Sequence, residues 1–170
     1  MLILGLLQSM VKALNSEGRP GQVAAGIALG ACLGLTPLMN IHNLVVVLLA
    51  MILNVSLAGF SLGWTLFVPL GFVLDPLFHA IGEKLLGAPS LAPMWTSFAN
   101  TPVVSLTGFD NTIVLGSVVF WIVAWLPIWL LAKWGVAKYR VRVYERLKHT
   151  RVFQAVQASN LYKVYKVFQP

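Results

Sequence analysis

The sequence predicts an all-α integral membrane protein, built as a re-entrant helical hairpin plus two full spans, or as four spans, with amphipathic helices at the interface. Three observations lead there. Of the 170 residues 58% are hydrophobic and only 10% are charged, too little polar surface for a soluble domain. Mean hydropathy is +0.82. The charges are also segregated: between Gly21 and Ala132 the only Asp, Glu, Lys or Arg residues are Asp75, Glu83, Lys84 and Asp110. The chain reads as one membrane domain over residues 1–170.

Residues 1–14 carry Ile3, Leu6, Leu7, Met10 and Leu14 at helical spacing, the pattern of a helix lying on the membrane. Lys12 follows the apolar stretch instead of preceding it, unlike a secretory signal peptide. Residues 20–54 hold two apolar runs, Val23 to Leu35 and Leu44 to Leu53, on either side of a polar, proline-containing tip. The first run reaches only about 20 Å at 1.5 Å per residue, short of a roughly 30 Å hydrocarbon core. A hairpin that enters and leaves on one side is therefore expected, with a tip that stops short of the other side. The alternative is two spans with Asn54 buried inside the second.

Residues 55–74 contain no charge and make one span, with Pro69 as a kink. Asp75 and Pro76 are expected to end it. Over residues 75–86 Leu77, Ile81 and Leu85 share one face while Asp75, His79 and Glu83 share another, so a separate interfacial helix is predicted. Residues 87–112, with Gly87, Pro89 and Pro93, read as an irregular periplasmic loop. Residues 113–134 form the clearest span, rich in Trp121, Trp125, Trp129 and Trp134, with Pro127 inside and Lys133 placed to snorkel.

The net charge of +7 is concentrated in the tail, residues 135–170, at Lys138, Arg140, Arg142, Arg146, Lys148 and Arg151. Such a cluster beside a span sets orientation and meets anionic lipid headgroups. No groove-reading or base-stacking module accompanies it, which argues against nucleic acid. With both termini cytoplasmic, Lys84 alone of the 12 Lys and Arg would face outside, as the distribution of basic residues in membrane proteins requires.

Gly26, Gly30 and Gly34 repeat every fourth residue, and Gly59 with Gly63 forms a second such pair. Faces of this kind let backbones approach closely in lipid. Two uses are open, namely packing of the hairpin arms within one chain and assembly of a homo-oligomer. The tip residues Thr36, Pro37, Asn40, His42 and Asn43 concentrate hydrogen-bonding groups where they are costly. They serve either function or the backbone groups that Pro37 frees. Asp75, His79 and Glu83 satisfy an interfacial face without a metal, and no nucleophile with its base, paired carboxylates or phosphate-binding loop can be assembled. The single Cys32 excludes an internal disulfide. No catalytic residue, metal or cofactor is assigned.

The stretch from Pro20 through Gly26, Gly30, Gly34 and Pro37, followed by Asn54, Asp75-Pro76 and Gly82, resembles a domain-of-unknown-function family of small bacterial inner-membrane proteins. Its pattern is a proline, an Ala/Gly-rich helix closed by Gly-x-x-Pro, and an Asn that opens the next segment. The similarity covers about residues 20–87. The final span and basic tail look like a longer subgroup found in bacteria with outer membranes. An Asn-Pro is common in the family where this chain has Asp75-Pro76, and no activity carries over. The resemblance implies the bacterial inner membrane and a large periplasmic or envelope protein as partner. The resulting expectation is a non-enzymatic subunit that anchors or feeds such an assembly, including one that transports lipid between membranes. The rival expectation is a small oligomeric transporter or channel whose tips line a polar path.

Overall fold

The computed structural model describes residues 19–38 and 40–141. Among them all regular structure is helical: α1 (Pro20–Leu35), α2 (Ile41–Ile52), α3 (Leu57–Leu86), a 3-10 turn over Pro89–Leu91, α4 (Ala92–Ala99), α5 (Pro102–Ser105) and α6 (Thr112–Tyr139). The interfacial helix expected over residues 1–14 lies outside the described residues. So do Arg142, Arg146, Lys148 and Arg151.

Pro20 starts α1, where a missing N–H costs nothing, and the Arg19 N–H donates to Gln22 Oε1 at 2.8 Å. Every residue from Gly26 to Leu35 is buried, as befits a helix that is apolar all round. α1 is the centre of the fold, held between α3 and α6. Thr36 ends it in an extended conformation, φ −106° and ψ 149°, the backbone that a following proline imposes.

The hairpin differs from expectation in what its first arm contacts. α2 buries only Asn43, Val46 and Ala50 and touches α1 lightly. It leaves Leu44, Val45, Leu48, Leu49, Met51 and Ile52 exposed. The glycine face of α1 meets α3 instead of its own return arm. α2 presents branched and long side chains, whereas α3 presents Gly59 and Gly63, and small residues on facing helices let two backbones approach closely. Asn54 is exposed in the turn between α2 and α3, so the version of the four-span reading that buries it within a span does not hold.

The expected boundary at Asp75-Pro76 is also corrected. α3 runs unbroken from Leu57 to Leu86 with Pro69 and Pro76 inside it, so residues 75–86 are not a separate helix. An interior proline removes one helical hydrogen bond and costs about 3 kcal/mol or more in isolation. Tertiary contacts on both sides of Pro76 oppose that loss. Before it, a Cβ on Gly71 would lie 3.3 Å from Leu35 Cα. After it, Phe78 is fully buried, its ring 5.3 Å from that of Phe120.

α6 begins at Asn111, whose side chain accepts from Ile113 N and Val114 N at 2.9 and 3.2 Å. It continues to Tyr139, past the expected end at Trp134, so the basic segment starts on the helix. Among the described residues α3 and α6 are the two helices able, by length and composition, to cross a membrane, while α1 and α2 are shorter apolar helices. The irregular loop expected over 87–112 contains the 3-10 turn, α4 and α5.

Candidate functional site

Two features drawn from the sequence come together around α1: the polar tip at its C-terminal end and the glycine face along its side. At the tip, the Thr36 hydroxyl lies 2.8 Å from both the Cys32 carbonyl and Asn43 Oδ1. Its single proton is shared between the two acceptors. Asn43 Nδ2 donates to the Pro37 carbonyl at 2.7 Å, and Asn40 Nδ2 donates to the same oxygen at 2.9 Å. Thr36 and Asn43 are each only 5% exposed. The polar groups therefore close the turn upon itself. His42 stands apart, since its Nε2 is buried without a hydrogen-bond partner among the described residues.

The glycine faces fix both direction and register. A Cβ on Gly26 would lie 2.9 Å from Phe60 N, one on Gly30 2.8 Å from Trp64 N, and one on Gly34 2.7 Å from Phe67 Cβ. Reciprocally, Gly59 would meet Val23 O at 2.6 Å and Gly63 would meet Ile27 Cα at 2.8 Å. Contacts that advance together along both helices make α1 and α3 parallel, with α2 returning the chain. Ser56 N donates to Gln22 O at 3.2 Å, which ties the two helix starts.

Sequence reasoning missed Gly71, Gly82 and Gly116 as contact positions. A Cβ on Gly82 would lie 2.7 Å from Thr112 Cα, and one on Gly116 would lie 3.0 Å from Gly82 N, so α3 and α6 touch backbone to backbone as well. Gly71 could have been found, because it falls eight residues after Gly63, on the same helical face.

The tryptophans of α6 also do more than mark an interface. Trp121 Nε1 donates to Ala28 O at 2.9 Å and Trp129 Nε1 to Gly21 O at 3.3 Å. These bonds make α6 antiparallel to α1 and clamp it along the first half of α1. A Cβ on Gly108 would lie 2.9 Å from Asn40 Oδ1, which puts the hairpin tip beside the turn that leads into α6. Trp121→Phe should remove one bond and keep the ring, lowering stability by about 0.6 kcal/mol as interhelical bonds in membranes do. Chemical denaturation of the purified protein in detergent, with Trp64→Phe as control, measures it.

Charges separate by end. Arg19, Lys133, Lys138 and Arg140 lie near the start of α1 and the end of α6, with no acidic side chain of the described residues among them. Lys133 Nζ sits 4.9 Å from the centre of the Trp129 ring and Lys138 Nζ 4.1 Å from that of Trp134, so indole faces hold both ammonium groups. Asp75, Glu83, Lys84 and Asp110 belong to the second half of α3 and the turn before α6. His79 Nδ1 is 2.7 Å from Thr112 Oγ1. Among the described residues no three possible ligands gather for a metal.

These features define the class: a protein whose described residues are all-helical and include two helices long and apolar enough to cross a membrane. The chain belongs to the DUF2062 family, described as uncharacterized proteins conserved in bacteria, whose model matches residues 6–145. It is also similar to an uncharacterized protein of Treponema pallidum (strain Nichols), 30% identical over 162 residues, which cover 92% of this chain and 97% of that protein. No solved structure matches.

Proposed function

We propose that the protein is a non-enzymatic inner-membrane subunit that anchors or feeds a larger envelope assembly, one whose work is the movement of lipid between membranes. The observation that carries this reading is the closed tip. Thr36, Asn40 and Asn43 spend their hydrogen bonds on Cys32, Pro37 and one another, so they support a hairpin and do not line a path. α2 then offers a long apolar face, Leu44 to Ile52, that α1 and α3 leave uncovered. Membrane lipid and a large envelope partner are the occupants in keeping with that face. Affinity recovery of the tagged full-length protein from solubilised membranes tests the reading. A large envelope protein should be recovered with it, and be lost when Leu48 and Ile52 are replaced by serine. Recovery of the chain with lipid alone would count against it.

A small oligomeric transporter or channel is the second reading, and one observation favours it: the buried, unpartnered His42 Nε2. An imidazole without a partner is the kind of group that a solute or ion would use.

Placement in the membrane follows from the charges. The end carrying Arg19, Lys133, Lys138 and Arg140 faces the cytoplasm in this proposal, as do both termini, because basic residues are retained on that side. The tip then lies at the outer interface. With Cys32 replaced by serine, Leu38→Cys should react with an impermeant thiol reagent in intact cells, and Asn54→Cys only after permeabilisation. Protection of Leu38→Cys from both sides would return the tip to the membrane interior.

A further inference from the structure

Residues 87–111 follow the spanning part of α3 without a single Lys or Arg, and Asp110 is the one acidic residue among them. They nevertheless have a fixed internal structure. Trp95 Nε1 donates to Leu85 O at 2.9 Å, anchoring α4 to the end of α3. The Trp95 ring stacks on Phe109 at 6.0 Å and 14°, and Phe98 sets its edge against both, 5.9 Å from Trp95 and 5.7 Å from Phe109. Gly108 turns the chain back with φ 68°. The cluster makes a small plate, and the plate leaves apolar groups uncovered: Val103 is 66% exposed and Leu106 is 70% exposed, with Met94 and Phe98 more than a third exposed.

An uncovered apolar patch marks a contact with a protein, a membrane or a ligand. Two properties select the contact. The patch is tied to the end of α3 by the Trp95–Leu85 bond, and α3 itself exposes Leu70, Phe72, Val73 and Leu77, which the membrane reading gives to lipid. Its charge is wrong for an anionic surface, since Asp75, Glu83 and Asp110 outnumber the single Lys84 among the Asp, Glu, Lys and Arg residues from Asp75 to Asn111. Aromatic and aliphatic side chains without cations fit the headgroup boundary of a zwitterionic leaflet.

We propose that residues 87–111 lie in the outer-leaflet headgroup layer as a lipid-bound plate, with Val103 and Leu106 inserted among acyl chains. The proposal rests on the membrane reading, and the test separates the two. Full-length protein with Cys32→Ser is reconstituted into phosphatidylcholine vesicles with one nitroxide at a time, on Val103→Cys, Leu106→Cys, Asp110→Cys or Val123→Cys. Collision with oxygen, which favours lipid, is compared with collision with a water-soluble nickel chelate. Val103 and Leu106 should show oxygen-to-nickel ratios several-fold above that of Asp110 and approaching that of Val123, which lies mid-helix on α6 and is 74% exposed. Nickel access at Val103 and Leu106 with Val123 protected would overturn the plate and leave the membrane reading standing. Nickel access at Val123 as well would overturn both. Low collision with both reagents at Val103 and Leu106, relieved on dilution into more lipid, would identify a second copy of the chain as the occupant and also overturn the proposal.

Discussion

Gly30→Ala is expected to destabilise the protein by about 1–3 kcal/mol, the range for overpacking a tight contact, although alanine is the better helix former. The added methyl would collide with the Phe60 carbonyl and come within 2.8 Å of Trp64 N. Those are backbone atoms of a helix, so no rotamer change relieves the clash, and α1 and α3 must separate along the whole face. Gly30→Leu should abolish docking of the two helices. The control is Gly135, where an added Cβ meets nothing within 4 Å. There alanine should be neutral or stabilise by up to about 1 kcal/mol through helix propensity alone. Thermal unfolding of both variants in one detergent decides the matter. Equal melting of Gly30→Ala and the parent would mean that the helices do not approach as closely as described.

The same contacts explain how far the sequence could be read. The charge-free runs behind α3 and α6 are local properties, and length and hydropathy found them. Gly26, Gly30 and Gly34 announce a face that seeks another backbone, but the repeat carries no record of its partner, and proximity in sequence favours the wrong one, α2. The partner is set by Gly59, Gly63 and Gly71 together, a spacing that becomes informative only when all three are read as one face. Pro76 misleads for a related reason. Its cost is local and visible, whereas the compensation comes from Phe78 against Phe120 and from Gly82 against Thr112, contacts with residues more than 29 positions away. At the tip, composition gave the residues and not the bonding. Asn40, His42 and Asn43 look equivalent in sequence, yet Asn43 is tied into the turn and His42 Nε2 has no described partner.

That difference makes the tip the place where the two functional readings part. Asn43→Ala should lower stability by about 1–3 kcal/mol, because the Thr36 hydroxyl loses one acceptor and the Pro37 carbonyl loses the more buried of its two donors. Asn40→Ala should cost less. Its bond is exposed, and Asn43 continues to satisfy the same oxygen. His42→Ala removes no hydrogen bond described for Nε2, so its melting temperature should stay near that of the parent. Each variant is then assayed for recovery of an envelope partner and for rescue of a strain lacking the protein. An anchoring subunit ties activity to a formed hairpin: rescue should fall most for Asn43→Ala, less for Asn40→Ala, and persist for His42→Ala. A transport path inverts the order, because the free imidazole is then the group that meets the solute. A His42→Ala protein that is stable, keeps its partner and fails to rescue would displace the anchoring reading in favour of transport.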